Sequence, residues 1–234
     1  MFNKDVQGVL GQINGITNSV ILKFPQTVAV SESQDMLILV NMENLDTDPF
    51  EPIPLKDSLA DLLNLIKLFP EERSIEVSDN TINISAGDMS SSFIMDNATL
   101  MDAYDKGPEQ FERTEQVPDV SSFDLTVGDI KNLKSATGVF KDLSEIIFKA
   151  EDDDLTISLG ATNKFNARSN TFSVSKPSSS SKNFEIKIPV ENFKMLPVSD
   201  YRVNVKYNSS RDSYRILMSN KTLEGFKVLM SVKA

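Results

Sequence analysis

The chain has 234 residues, 40% hydrophobic and 25% charged, with a formal net charge of −10, which is the composition of a globular protein with one large or two small domains. It contains no Cys, His or Trp, so it has no disulfide, no usual zinc ligand and no Ser-His or Cys-His catalytic pair, and only carboxylate chemistry remains open to an enzyme. The first residues lack a signal-peptide pattern and no apolar run reaches about 18 residues, so we expect neither secretion by a visible signal nor a membrane span.

The first half of the chain predicts a helix, strands, a second helix and further strands. The helices cover residues 3–16 and 55–68, and Pro54 and Pro70 flank the second one. The predicted strands are residues 19–24, 36–42, 74–78, 81–86 and 91–95. Asp79 and Asn80 lie between two alternating runs and indicate a hairpin turn, so we expect antiparallel sheet.

The segment 101–117 separates the two halves. It contains the acidic residues Asp102, Asp105, Glu109, Glu112 and Glu115, with Gly107 and Pro108 in its middle. This composition is typical of an interdomain connector and not of a core element.

The second half predicts helices at residues 127–141 and 190–196. Its predicted strands are residues 121–125, 145–150, 155–159, 170–175, 184–188, 201–207, 214–219 and 225–232. Both halves therefore have the order helix, strands, helix, strands, and in both an Ile-Pro pair precedes the second helix and a proline follows it. This shared order predicts a tandem duplication of two similar α+β domains, at residues 1–100 and 121–234, joined by a connector at residues 101–120.

Charge is divided unevenly along the chain. Residues 1–118 carry seven Lys and Arg against twenty Asp and Glu, a balance of −13, whereas residues 119–234 carry seventeen against fourteen, a balance of +3. Solvated surfaces alone account for such a difference. The alternative is that the acidic half of one copy meets the basic half of another copy.

The polar faces of the four predicted helices carry the candidate DNA-facing residues. These are Lys4, Lys56, Lys67, Lys131, Lys134, Lys141 and Lys194. Amphipathic helices commonly expose Lys, so an ordinary solvated surface is also compatible with this pattern. In a strongly acidic chain, however, lysines gathered on one kind of element favour contact with a polyanion. No base-reading Arg accompanies them, so such a surface would contact phosphates without reading sequence.

The acidic run at residues 151–154 is the one candidate metal site in the sequence. Adjacent carboxylates do not converge on one ion, and the spacing and glycine of an EF-hand are absent, so we interpret the run as a solvated turn. The phosphate-binding glycine motifs are also absent. We therefore expect no catalytic residue, no metal ion and no cofactor.

Three segments of the chain resemble the sliding clamps of T-even-type bacteriophages, which are ring-shaped processivity factors of phage DNA polymerases. They are the first helix leading into residues 16–23 (ITNSVILK), the second helix with its proline-ended exit, and residues 184–197 (FEIKIPVENFKMLP). The resemblance extends over nearly the whole chain. It implies the DNA-clamp fold, an α+β fold with two similar domains of antiparallel sheet and two helices each, in which three chains form a ring of six domains with the helices lining the hole.

The resemblance also implies the partners of such a ring. A ring of this family encircles double-stranded DNA without sequence preference and is loaded by an ATP-dependent clamp loader. It holds a C-terminal peptide of the DNA polymerase and catalyses no reaction itself. The family's peptide pocket lies under the connector and against the sheet of the second domain, which here implies Tyr104, Phe111, Tyr214, Leu229 and Val232. The expected location is the cytoplasm of an infected bacterial host.

Two other classes of function stay open at this point. One is a β-rich structural oligomer of phage origin that does not bind DNA, and the other is a carboxylate-dependent enzyme. A trimeric native mass fits the clamp, but only capture on closed circular DNA distinguishes a clamp from a structural trimer.

Overall fold

The computed structural model of the chain describes residues 2–78, 80–151, 154–160, 172–177 and 180–232. The chain divides into two compact units, Met1–Glu109 and Gln110–Ala234. This division falls inside the segment 101–120 that the sequence predicts as a connector. Each unit combines helices with antiparallel strands and has its own buried apolar residues.

The first unit begins with a helix and contains two groups of strands separated by a second helix. In chain order its elements are α1 (Lys4–Asn14), β1 (Val20–Leu22), β2 (Gln26–Val30), β3 (Met36–Asn41), a 3₁₀ helix (Met42–Leu45), β4 (Ile53–Leu55), α2 (Leu59–Lys67), β5 (Ser74–Ser78), β6 (Thr81–Ala86), β7 (Met89–Ile94) and a second 3₁₀ helix (Ala98–Leu100). The strands pair antiparallel as β1 with β4, as β2 with β3, and as β5–β6–β7.

The helices of the first unit pack inward through apolar residues at helical spacing. Those of α1 are Val6, Val9, Leu10 and Ile13, and those of α2 are Leu59, Leu62, Leu63 and Ile66, all of them buried. The side-chain oxygen of Asn3 accepts a hydrogen bond of 2.8 Å from the Val6 N–H and so caps the start of α1. Helices α1 and α2 lie against each other.

The second unit adds one strand to the same plan, and a short helix leads into it. Its elements are α3 (Glu109–Glu115), which begins at the division, β8 (Asp119–Leu125), α4 (Val127–Val139), β9 (Glu145–Glu151), β10 (Asp154–Gly160), β11 (Ser173–Pro177), β12 (Phe184–Pro189), α5 (Val190–Met195), β13 (Tyr201–Asn208), β14 (Ser213–Asn220) and β15 (Lys227–Ser231). The strands pair antiparallel in the orders β11–β10–β9–β12 and β15–β14–β13–β8.

From α4 onward the second unit repeats the order of the first, which is helix, four strands, helix, three strands. The pairing of β9 with β12 corresponds to that of β1 with β4, the pairing of β10 with β11 to that of β2 with β3, and β13–β14–β15 to β5–β6–β7. Helices α4 and α5 also lie against each other, as α1 and α2 do. The two units are therefore similar domains, as the duplicated order in the sequence predicts.

Each predicted strand overlaps an observed one, but β2 and β4 are missing from the sequence prediction. In β2 the residues from Thr27 to Val30 are all buried, so the strand shows no alternation of polar and apolar residues. Residues 170–171 of one predicted strand lie outside the described residues. Asp79 of the predicted hairpin lies outside them as well, although the flanking Ser78 and Thr81 are paired in the ladder of β5 and β6.

The start of α2 differs from the prediction of a helix at residues 55–68. Ile53–Leu55 forms β4, which pairs with Val20–Leu22, and the helix begins only at Leu59. Pro54 is compatible with this strand because β4 has β1 as its only ladder neighbour in the described chain, so the missing N–H of proline is tolerated at the free edge. Lys56 consequently lies in a loop and not on a helix face.

The predicted connector is more structured than its composition indicates. Helix α3 occupies its second part, and Phe111 and Thr114 on this helix are each only 1% exposed. The interpretation of the segment as free of core elements is therefore wrong for α3, because Phe111 and Thr114 are as buried as core residues. Within the described ranges, no helix combines the length and the apolar character needed to cross a membrane.

Candidate nucleic-acid interface

Helix α4 carries two of the predicted DNA-facing lysines, Lys131 and Lys134, and polar side chains fix its first turn. The Thr126 hydroxyl accepts a hydrogen bond of 3.2 Å from the Asp129 N–H, and the Asp129 carboxylate accepts one of 2.8 Å from the Thr126 N–H. This reciprocal pair is a capping box, which satisfies two donors that the helix end leaves free. Lys176 of β11 adds an ion pair to the same carboxylate.

Asp129 and Lys176 are both largely shielded from solvent, with 13% and 20% of their side chains exposed. Burial opposes ionisation of Asp129, but hydrogen bonds from Lys176 and Thr126 outweigh it and hold the pKa of this carboxyl below its usual value. The sequence prediction does not include this ion pair. The two residues are far apart in sequence, and only the folded chain brings β11 next to the start of α4.

Apolar residues of α4 point into the second unit and leave a polar outer face. Ile130, Leu133, Ala136 and Thr137 are buried, whereas Gly128, Lys131, Asn132, Ser135 and Gly138 are exposed, as is the apolar Val139 at the C-terminal end. The outer face therefore offers one ammonium group, small side chains and two positions with no side chain at all. Such a surface lets another molecule come close to the helix backbone.

Lys134 does not belong to this outer face. Its ammonium group donates a hydrogen bond of 2.6 Å to the carbonyl oxygen of Lys194 and a second bond to the carbonyl oxygen of Leu196. These carbonyls lie at the C-terminal end of α5, where a helix leaves acceptors without partners. Partial burial lowers the pKa of Lys134. The residue thus ties α4 to α5.

Two other predicted lysines are exposed but take part in ion pairs. Lys4 of α1 lies 2.8 Å from a carboxylate oxygen of Glu71, with about three quarters of each side chain exposed. Lys194 of α5 lies 2.9 Å from Glu191 on the same helix. Exposed pairs of this kind contribute roughly 0 to 1 kcal/mol, so a phosphate can replace the carboxylate at little cost.

The remaining four candidates are exposed, and none of them has an ion pair among the described residues. Lys67 and Lys131 lie on α2 and α4 as predicted. Lys56 precedes α2 and Lys141 lies in the turn after α4, so their predicted helical positions are wrong, because both helices are shorter than their apolar patterns indicate. All four ammonium groups remain near the ends or outer faces of the helix pairs of their own units. They are available for transient phosphate contacts.

The residues predicted to form a peptide pocket differ in their accessibility. Phe111 and Leu229 are 1% and 3% exposed and belong to the core of the second unit, where a peptide has no access without displacing core side chains. Tyr214 and Val232 are half-buried in the same unit, and Tyr104 is half-buried in the first unit. The accessible part of the predicted set in the second unit is therefore Tyr214 and Val232.

Tyr214 belongs to an aromatic cluster that the sequence prediction does not include. Its ring lies 4.8 Å from that of Tyr207, its partner across β13 and β14, and 5.9 Å from that of Phe184. The ammonium group of Lys182 lies 3.8 Å from the centre of the Tyr207 ring. This is a cation–π contact, which further orders the cluster.

The acidic run 151–154 is only partly described, because Asp152 and Asp153 lie outside the described residues. Glu151 ends β9, and its carboxylate forms an ion pair with Lys149, whose ammonium nitrogen lies 2.7 Å away. Asp154 begins β10. In the part of the chain that the structure describes, no three Asp or Glu residues cluster as metal ligands do.

No family model matches the sequence, and no curated protein matches it. Solved structures do match. The chain is similar to A. fulgidus PCNA, seen bound to the C-terminal region of FEN-1, with a TM-score of 0.66 and 10% sequence identity over 97% of this chain and 94% of that chain. It is similar to the Proliferating Cellular Nuclear Antigen from Entamoeba histolytica, with a TM-score of 0.66 and 8% identity over 98% and 95% of the two chains.

A bacterial protein has the same likeness over part of its length. The DNA polymerase III subunit beta from Pseudomonas aeruginosa matches with a TM-score of 0.66 and 12% identity over 97% of this chain but 65% of that chain. At these identities the likeness establishes the fold. This chain has the DNA-clamp fold, α+β with antiparallel sheets and few helices, which confirms the predicted fold class.

Proposed function

We propose that this chain is the subunit of a sliding clamp that encircles duplex DNA and tethers a DNA polymerase for processive synthesis. The observation that carries the proposal is the DNA-clamp fold built from two similar units, each with a pair of adjacent helices. The chain covers almost the full length of the matched PCNA chains, so the likeness includes both units. On this proposal the chain holds DNA by topology and catalyses no reaction.

The exposed lysines supply the contact with DNA in this proposal. Lys56, Lys67, Lys131 and Lys141 are free to meet phosphates, and Lys4 and Lys194 can exchange their carboxylate partners for phosphates. Each contact is weak and depends on salt, which suits a ring that must slide. The chain has a net charge of −10, so the rest of its surface is acidic on balance and repels the phosphates of DNA.

Three chains are proposed to close the ring, because six domains at two per chain require three copies. The joint runs head to tail, so the acidic half of one copy meets the basic half of the next, a heterologous contact that closes by rotation. Strand β7 suits such a joint, since it has one ladder neighbour in the described chain and exposes Met89 and Ile94. An exposed edge strand with apolar residues is a template for pairing with another chain.

The proposed partners are inferred from the structural similarity to PCNA and from the sequence resemblance to phage sliding clamps. A. fulgidus PCNA binds the C-terminal region of FEN-1. By analogy we propose that this chain binds a C-terminal peptide of a DNA polymerase, with Tyr214 and Val232 as the accessible candidates, and that an ATP-dependent loader opens the ring. The resemblance at residues 16–23 and 184–197 supports a bacteriophage origin and a location in the cytoplasm of the infected host.

Retention on circular DNA tests the proposal. The protein is loaded onto nicked circular DNA by its cognate loader, washed with salt that removes ordinary electrostatic binders, and then treated with a nuclease that cuts the circle. We expect it to survive the wash and to leave when the DNA becomes linear. Retention that is indifferent to linearisation contradicts a clamp, and a trimer that is never retained on circles identifies the structural oligomer instead.

A further inference from the structure

A cavity of about 360 Å³ opens in the second unit between α3 and the hairpin of β13 and β14. Its charged lining residues are all basic: Arg113 of α3, Lys206 of β13, Arg211 of the hairpin turn and Arg215 of β14. The lining includes no Asp or Glu, in a chain with a net charge of −10. This concentration of positive charge is not explained by the proposed contact with DNA, because none of the four belongs to the lysines of the helix pairs.

Lys206 forms the closed side of the cavity. It is 6% exposed, donates hydrogen bonds of 2.8 and 3.2 Å to the carbonyl oxygens of Val117 and Glu115, and forms an ion pair of 2.8 Å with Asp119. Its charge is therefore satisfied within the fold. It closes the C-terminal end of α3 and needs no external partner.

Arg215 is fixed but not neutralised. Its guanidinium donates a hydrogen bond of 2.9 Å to the hydroxyl of Thr114, and that hydroxyl donates one of 2.7 Å to the carbonyl oxygen of Gln110. A neutral hydroxyl orients the side chain without cancelling its charge. The remaining donors of the guanidinium are held in place for a second acceptor.

Arg113 and Arg211 are exposed, and neither forms an ion pair within the described residues. Glu115 of α3 and Asp212, which follows Arg211 in the turn, already have partners. Glu115 is paired with Lys227, and Asp212 accepts a hydrogen bond of 2.8 Å from the Tyr207 hydroxyl. Three guanidinium groups thus line one cavity with no carboxylate of their own.

We propose that this cavity binds an acidic segment of a partner peptide through the carboxylates of its Asp or Glu side chains. A guanidinium group presents a planar fork of donors that matches a carboxylate, and such charge-assisted bonds are among the stronger ones in proteins. The site is distinct from Tyr214 and Val232, since Tyr207 pairs with Tyr214 in the ladder while Lys206 pairs with Arg215 one position further. Neighbouring positions of a strand face opposite sides of the sheet.

The neutral residues of the lining favour a peptide over nucleic acid. They include Gln110, Asn208, Ser210 and Ser213, whose polar groups offer both donors and acceptors. A peptide backbone can use both, whereas a phosphate group only accepts hydrogen bonds. The cavity is also concave and of a size for a few side chains.

Fluorescence anisotropy with defined peptides tests this site without DNA, loader or polymerase. A negative result would therefore contradict the peptide site but not the sliding-clamp proposal, which retention on circular DNA tests separately. The probes are a labelled peptide with alternating Asp and Glu and its counterpart with Asn and Gln. The variants are Arg113→Ala with Arg211→Ala, both exposed and so harmless to folding, and Arg215→Lys, which keeps the charge but loses the fork. Arg202→Ala is the matched control, because Arg202 lies on β13 and pairs with Asp124 away from the cavity.

We expect saturable binding of the acidic peptide only, a loss of about tenfold or more in the double variant, a smaller loss in Arg215→Lys, and no change in Arg202→Ala. Equal binding of the amide peptide, equal affinity of the double variant, or absence of binding below about 1 mM overturns the proposal. A labelled duplex that binds more tightly than the acidic peptide and competes for the same arginines also overturns it, in favour of nucleic acid.

Discussion

The helix pairs of the two units have the same position in the duplicated plan but different polar chemistry. In the second unit, α4 is held at its start by the capping box and Lys176, and it is tied to α5 by Lys134. In the first unit, α1 has a single neutral cap at Asn3 and carries Gly8 and Gly11 on its exposed face. The apolar stripes are common to both pairs, whereas α1 is capped by the neutral Asn3 and α4 by the ionised Asp129, which also pairs with Lys176.

This difference shows which parts of a duplicated domain are free to diverge. Packing of a helix against the sheet requires only apolar residues at the right spacing, and both units retain it. Anchoring by Asp129 and Lys134 stabilises the second pair, while exposed glycines occur in both pairs, as Gly8 and Gly11 in α1 and as Gly128 and Gly138 in α4. We therefore expect the first unit to have the less stable helix pair.

Replacing Asp129 by Ala has the largest expected effect. It removes the capping carboxylate and leaves Lys176 shielded without a partner, so we expect the second unit to lose about 2 to 3 kcal/mol in the free energy of unfolding by urea. Asp5→Ala in the first turn of α1 is the matched control, since Asp5 has no ion pair in the described chain, and it should cost less than about 1 kcal/mol. Equal losses in the two variants contradict the difference between the helix pairs.

The Asp129 contribution should also depend on pH. The folded pKa of Asp129 is lowered relative to the unfolded value of about 3.9, so its stabilisation is complete above that value and is lost as the pH falls through the folded pKa. The gap in stability between wild type and Asp129→Asn should therefore be constant above about pH 5 and shrink below about pH 4. A gap that grows on acidification means that Lys176 does not stabilise the ionised carboxylate.

Lys134→Ala is expected to have the next largest effect. The variant leaves the carbonyls of Lys194 and Leu196 at the end of α5 to water, which costs about 1 to 2 kcal/mol for partly exposed acceptors that lose a charged donor. Lys131→Ala is the matched control on the exposed face of the same helix. It should leave stability unchanged, and together with Lys141→Ala it should weaken loading on DNA. If Lys134→Ala is as stable as Lys131→Ala, Lys134 belongs to the surface after all.

The sequence predicts most of this fold because its main signals are local. Alternation, helical periodicity and prolines at helix borders identify each half, and the repeated order identifies the duplication. The prediction fails where a local signal is ambiguous, as at Leu55, whose apolar neighbours fit the start of a helix but whose partner is Val20 in β1. Helix length also depends on contacts that the pattern does not show, which is why Lys141 lies in a turn.

The candidate site was less predictable than the fold. Helical position predicts all seven lysines, but it does not distinguish Lys131, which is exposed, from Lys134, whose ammonium binds carbonyls 60 and 62 residues away. The basic cavity gives no sequence signal, because Arg113 and Arg211 come from elements far apart along the chain. Such sites depend on long-range pairing, which a single sequence does not record.

The glycines of α1 permit a smaller test of the difference between the helix pairs. A Cβ built on Gly8 or Gly11 meets nothing within 4 Å, and both residues are helical, so alanine should stabilise the first unit by about 0.5 to 1 kcal/mol at each position. Gly138→Ala in α4, also without neighbours within 4 Å, is the matched control in the second unit. Loading on circular DNA should fall in Gly8→Ala with Gly11→Ala if DNA approaches this face closely. Increased stability with unchanged loading removes α1 from the DNA-facing surface.

The smallest expected effect concerns the exposed ion pair between Lys4 and Glu71. Both side chains are about three quarters exposed, so water and salt screen the pair, and Lys4→Ala should change the unfolding free energy by less than about 0.5 kcal/mol. Glu71→Ala should be equally neutral for stability, but it frees the ammonium group of Lys4 for phosphates, so the two variants should move the salt dependence of DNA retention in opposite directions. The measurement is the salt concentration that ends direct binding of the unloaded protein to linear duplex DNA, with no loader present, so that topological retention does not contribute. If both variants release at the same salt concentration as wild type, Lys4 does not contact DNA, and the other exposed lysines provide the phosphate contacts without it.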